Sequence, residues 1–136
     1  MIKLIYGPKG FGKTKIMLDD VNAAAAKAKG NVVFITDKRM CSVAIDLNVR
    51  CVYTEEYAID TLDGFEGFVK GLIAGNHDIE NISIDGILRI TNANLDELED
   101  AFNEIKKICE DNNVALEITV SATKEQLPKY MLEYIA

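Results

Sequence analysis

The sequence predicts a three-layer α/β/α sandwich around a mainly parallel sheet, and three observations carry that expectation. Short apolar runs alternate along the chain with helical patterns of period 3.6. Some of the runs, such as Val32-Val33-Phe34-Ile35, are continuous, as strands buried on both faces are. A chain of 136 residues, 49% of them hydrophobic, can bury a sizeable core as one domain. No repeat, low-complexity tract or linker divides it, so residues 1–136 read as a single domain.

The elements follow in order. Ile2, Leu4, Ile5 and Tyr6 form a first buried strand. A helix starts near Lys13, with Ile16, Met17, Val21, Ala24, Ala25 and Ala28 at spacings of three and four, and Gly30 closing it. Val32 to Thr36 is a second strand ending at Asp37, and residues 40–47 suggest a short helical turn. Val49 to Thr54 is a third strand candidate. Thr61 to Ala74 is helical, with Leu62, Phe65, Val69, Leu72 and Ile73 on one side; Gly64, Gly67 and Gly71 either allow close packing or signal mobility. Ile82 to Asp85 is a short strand ending in a carboxylate. Asn94 and Glu97 form a capping-box-like start to a long helix with Leu95, Leu98, Phe102, Ile105, Ile108 and Cys109 buried, ended by Asn112-Asn113. Leu116 to Ser121 is the last strand, and the tail from Lys124 carries a short helix starting near Pro128.

Between the first strand and helix lies Gly7-Pro8-Lys9-Gly10-Phe11-Gly12-Lys13-Thr14, which fits the phosphate-loop pattern G-x-x-x-x-G-K-[ST]. Strand, glycine loop and helix is the context that this motif needs. Its glycines let the backbone approach an anion closely, and successive N–H groups of the loop and first helical turn make an anion-binding concavity. Lys13 would set a point charge against the outer phosphates, and Lys9 adds a second. The Thr14 hydroxyl would help coordinate Mg²⁺. The bland alternative, a tight turn before a helix, does not require Gly12-Lys13-Thr14.

Asp85 is the candidate second anchor, a carboxylate at the C-terminal end of a strand and so on the same rim as the loop of a parallel sheet. With Thr14 it would flank one ion; its alternative is an Asx turn with Gly86. At this point residues 1 to 123 resemble the P-loop NTPases, and among them the RecA-like ATPase core. The resemblance implies that the strand after the Asp85 strand inserts beside the loop strand. It also implies that its terminal polar residue, Ser121 or else Thr123, senses the terminal phosphate. ATP and Mg²⁺ are the cofactors it implies. The loop is similar to that of thymidine kinases too, through its Gly-Pro opening, but the chain has no cysteine-rich zinc lasso.

The chain also departs from that pattern. Where many members carry a glutamate directly after the aspartate, this chain has Gly86. Where RecA-like proteins often carry a catalytic glutamate, beyond the second strand, it has Asp37-Lys38-Arg39. Asp37, Glu55 and Glu56 are candidate substitutes, each read in the first place as a solvated loop charge. Arg39 and Arg89 are read as surface residues first and as phosphate contacts second. The resulting expectation is an ATP-binding protein with weak Mg²⁺-dependent ATPase activity, with Lys13 and Asp85 in the catalytic roles. A homo-oligomer could supply the missing group in trans. The alternatives are a nucleotide-responsive binding module with negligible turnover and, further off, a small-molecule or nucleoside kinase.

Other features bound the reading. Three widely spaced cysteines, Cys41, Cys51 and Cys109, predict packed, reduced thiols in a cytoplasmic protein without a zinc site. No segment has the apolar length of a membrane span, and Met1 leads straight into a strand rather than a signal peptide. A net charge of −7 disfavours broad nucleic-acid binding while leaving a local basic patch open. His77, in the turn-forming stretch Gly75-Asn76-His77-Asp78, is read as structural, and Tyr130 and Tyr134 as packing residues.

Overall fold

A computed structural model describes residues 1–39 and 44–135. Five strands form one sheet: β1 (Ile2–Gly7), β2 (Asn31–Thr36), β3 (Val49–Tyr53), β4 (Ile79–Ile84) and β5 (Ala115–Ser121). Their order is β1-β5-β4-β2-β3, and every pairing between them is parallel. β5 therefore lies between β1 and β4, with Leu4 beside Ile118 and Ile118 beside Ile84. Because all strands run the same way, Gly7, Asp37, Asp85 and Ser121 end on one rim.

Helices cover both faces, giving the three-layer α/β/α arrangement. The period-2 alternation of strand side chains divides the apolar residues between two cores. The larger core joins Leu4, Ile35, Ile82, Ile84 and Ile118 to α2 (Leu62–Gly75), α3 (Ile87–Thr91) and α4 (Glu99–Asp111). The smaller one joins Ile5, Val32, Phe34 and Val49 to α1 (Lys13–Lys27). Phe102 on α4 is fully buried and packs against the tail rings of Tyr130 and Tyr134, at 5.3 and 5.9 Å between centroids. The tail is tied down further. The Tyr130 hydroxyl donates to the Leu95 carbonyl (3.0 Å), and the Leu4 N–H donates to the Tyr134 carbonyl (2.8 Å). Both tyrosines thus pack on the domain. No described helix is long and apolar enough to cross a membrane.

Several local expectations need correction. α1 stops at Lys27, with the Ala28 N–H closing on the Ala24 carbonyl, so Gly30 does not cap it. Gly30 is instead placed where any Cβ would run into the Asp78 carbonyl, and its N–H donates to Glu80 Oε1 (2.8 Å). The buried side of α1 is Met17, Leu18 and Val21, and Ile16 points outward. The Asn94–Glu97 box forms, with reciprocal bonds of 3.1 and 3.2 Å, yet it closes a turn and α4 starts only at Glu99. α3 was not anticipated; its signal is the Ile87, Ile90, Thr91 spacing. In the tail, a 3₁₀ turn over Lys124–Gln126, boxed by Thr123, precedes α5 (Lys129–Leu132), which Pro128 opens. Of the turn expected over 40–47, residues 40–43, Cys41 among them, lie outside the described residues; 44–46 are irregular.

Candidate functional site

The rim where β1 ends is built by its loop. Gly12 takes a left-handed conformation (φ +86°, ψ +19°), which glycine adopts without the Cβ penalty, and this turns the chain directly into α1. Among the described residues no side chain caps the first turn of α1, and that turn carries no acidic residue. Its N–H groups therefore face the rim with the positive end of a helix dipole behind them. Within the loop the Phe11 N–H donates to the Pro8 carbonyl (3.1 Å), and the Phe11 ring covers Gly7 so closely that a Cβ there would meet it. Phe11 itself is exposed.

Lys13 is buried at the base of this loop, and its ammonium donates to the Pro8 carbonyl across it (3.0 Å). Burial lowers its pKa, the Asp85 charge opposes that shift and the Arg89 charge adds to it. Asp85 follows β4 directly and is almost completely buried. Two hydroxyls secure its carboxylate: Thr119 donates to Oδ1 (2.8 Å), and Thr14 lies 3.2 and 3.1 Å from the two oxygens. Thr119 in turn accepts from the Gly86 N–H (2.8 Å), which locks the turn after β4 to β5. A carboxylate stripped of water is stable only with such donors, and charge-assisted bonds are the strong ones.

Lys9, Lys13, Thr14, Asp85, Arg89 and Ser121 line a cleft of about 370 Å³. The structure thus brings together the loop, Asp85 and Ser121, although Ser121 is exposed. The sequence reading missed Thr119, the residue that holds Asp85. It lies two positions before Ser121 and so on the same strand face, and the alternation Glu117, Thr119, Ser121 along β5 was the available signal.

The surroundings sort the remaining candidates. Arg39 pairs with Glu56 (2.6 Å) and sits 4.7 Å over the Tyr53 ring, away from the cleft. Arg89 enters the cleft. Its Nε and Nη2 donate to the two carboxylate oxygens of Asp37 (3.3 and 3.2 Å), and Nη2 lies 3.6 Å from Asp85 Oδ2. Arg89 holds Asp37 below the usual carboxylate range against a desolvation effect that is larger than any single opposing contact. Gly86 has φ +80°, and a Cβ there would collide with the Arg89 guanidinium. The position that a glutamate takes in the resembled pattern is thus filled by an arginine from the next helical turn. Glu55 lines a neighbouring cavity with Asp37 and Arg89. His77 is exposed, in a turn at the opposite rim.

No protein-family model and no curated protein matches this chain. Thr14 and Asp85 present hard oxygen donors in contact with one another. A single carboxylate plus a hydroxyl is the kind of donor set that Mg²⁺ takes beside substrate phosphates, and not an all-protein cage. Among the described residues no group of three or more His, Cys, Asp or Glu could form such a cage. Cys109 is buried, its thiol pushed up to about 12 by desolvation, and is therefore a packing residue.

Proposed function

We propose that the chain is a nucleoside-triphosphate-binding protein with slow Mg²⁺-dependent hydrolysis, and that the triphosphate is ATP, as its resemblance to RecA-like ATPases implies. The observation that carries this reading is the convergence of Lys13, Thr14 and buried Asp85 on the uncapped first turn of α1. The insertion of β5 between β1 and β4 supports it as well.

In this reading the loop N–H groups and the start of α1 bind the phosphates. The Lys13 ammonium exchanges the neutral Pro8 carbonyl for a charged phosphate oxygen, a stronger acceptor. Thr14 and Asp85 would hold Mg²⁺, which when bound would supply charge to offset that developing on the transferred phosphoryl group. Thr119 keeps Asp85 oriented throughout. Water attack on the terminal phosphorus, with cleavage of the bond to the bridging oxygen, also needs a group that orients the water. Gly86 supplies none, and Arg89 occupies its space. That observation favours slow turnover and equally supports a second reading, a nucleotide-responsive binding module with negligible hydrolysis. A second copy of the chain supplying a group in trans would raise the rate.

Steady-state phosphate release from Mg-ATP, measured over a range of protein concentrations, separates these readings. Release that disappears in Lys13→Ala is expected of the ATPase. A specific rate that rises with protein concentration supports the trans contribution, and a constant one removes it. Binding without release selects the second reading.

A further inference from the structure

The mouth of the cleft carries more positive charge than its single buried carboxylate balances. Lys9, Lys13 and Arg89 all line it, and Asp85 is the one acidic side chain among its lining residues. Arg89 differs from the two lysines in how it is held. Its side chain is 48% exposed and rests by a two-point contact on Asp37, which is only 15% exposed. A guanidinium presents five N–H donors in a rigid fork. Nε and Nη2 serve Asp37, and Nη2 also reaches the Asp85 carbonyl (3.4 Å). Among the described residues Nη1 has no acceptor.

Arg89 also belongs to a short helix that follows a left-handed glycine, and the missing side chain at Gly86 leaves room for the guanidinium beside Asp85. The arginine is therefore anchored on one edge and has donor capacity remaining on the other. That capacity lies against a cleft shaped by an anion-binding loop. Arg89 lines the same cleft as Gly10, Gly12 and Lys13 of the loop, reaching it from the β4 side where the loop reaches it from the β1 side.

We propose that Arg89 reads the terminal phosphate: resting on Asp37 in the ligand-free site, it donates to the γ-phosphate and sets a preference for triphosphate over diphosphate. This rests on the nucleotide-binding reading above. Asp37 is then a positioning residue, holding the guanidinium plane beside Asp85. The two contacts are compatible, since Asp37 uses one edge of the fork and the phosphate the other.

The test is a calorimetric titration of the full chain with Mg-ATP and with Mg-ADP, comparing wild type, Arg89→Ala, Arg89→Lys and Asp37→Asn. A charge-assisted contact to the γ-phosphate predicts that wild type binds triphosphate about tenfold or more tightly than diphosphate. In Arg89→Ala the ratio falls to within about twofold, through weaker triphosphate binding at unchanged diphosphate affinity. Arg89→Lys, which keeps charge but loses the fork, lies between, and Asp37→Asn lowers the ratio with Arg89 present. Thermal melts of each variant separate misfolding from loss of contact, and Arg89→Lys carries the comparison if the alanine variant does not fold. A ratio unchanged in Arg89→Ala, or equal wild-type affinities, overturns the proposal and leaves the loop reading standing. If wild type binds neither nucleotide, both are overturned.

Discussion

Gly86 shows how one residue can decide both backbone and chemistry. Its φ of +80° is a conformation that side-chain-bearing residues rarely adopt, and its missing Cβ makes room for Arg89. Gly86→Ala is therefore expected to cost about 1–2 kcal/mol from the backbone alone, measured by urea denaturation, and to push the guanidinium off Asp85. A variant as stable as wild type would show that the turn after β4 relaxes. The same residue marks the limit of what the sequence could tell. Its departure from the resembled pattern was legible, but the arginine occupying the space was not, because Arg89 and Asp37 are 52 positions apart. Thr119 escaped notice for a similar reason: its partner, Asp85, is brought beside it only by strand order.

At the scale of elements, α2 and β5 make opposite points about exposure. Gly67 and Gly71 lie on the exposed side of α2, and a Cβ at either meets nothing within 4 Å. Neither glycine serves close packing on the sheet. Gly67→Ala and Gly71→Ala should each stabilise the protein by about 0.5–1 kcal/mol, through lower unfolded-state entropy and better helix propensity. An unchanged or lower urea midpoint in both variants would contradict this. Gly64 is excluded from the series because a Cβ there would press on the Thr61 hydroxyl that caps the helix.

β5 carries Glu117 beneath α1, with Oε1 buried and without a hydrogen-bond partner among the described residues. Burial, with the neighbouring Asp20 carboxylate adding to it, pushes Glu117 up to about 8, and Lys3 at 3.8 Å only partly offsets this. A raised carboxyl pKa means that the folded state favours the protonated form. Its stabilising contribution is complete below the ordinary glutamate range and is lost as pH rises through about 8. Asp20 is shifted the other way, so its contribution is lost only at acid pH. Between about pH 5 and 8 the wild type should thus lose stability relative to Glu117→Gln as pH rises. Urea midpoints for both proteins across that range give the difference directly; a difference that does not change with pH would refute the assignment.

The whole molecule explains which parts of the reading succeeded. β1 and β2 were visible as largely continuous apolar runs, and β3, β4 and β5 as β-branched stretches interrupted by polar residues. Of the strand order, only the place of β5 beside β1 was expected, and that through a resemblance and not through the residues, since parallel pairing carries no local turn signal. Helix starts and stops were read less well. The Asn94–Glu97 box forms as expected but closes a turn, and α4 begins only after the buried Leu98. The loop's pattern was fully legible because it is local: three glycines, two lysines and a hydroxyl within eight residues. What the fold adds is convergence, setting Asp85, Thr119 and Arg89 from β4, β5 and α3 around that loop.

This convergence is proposed to bind nucleotide phosphates. Isothermal titration of the full chain with ATP plus Mg²⁺, beside Lys13→Ala, tests it most directly. Saturable one-to-one binding by wild type is expected, with at least about a hundredfold weaker binding by Lys13→Ala, the loss appropriate to a desolvated charged contact. A wild type that releases no heat and gains no thermal stability with Mg-ATP, or a Lys13→Ala variant that binds as well as wild type, would contradict it.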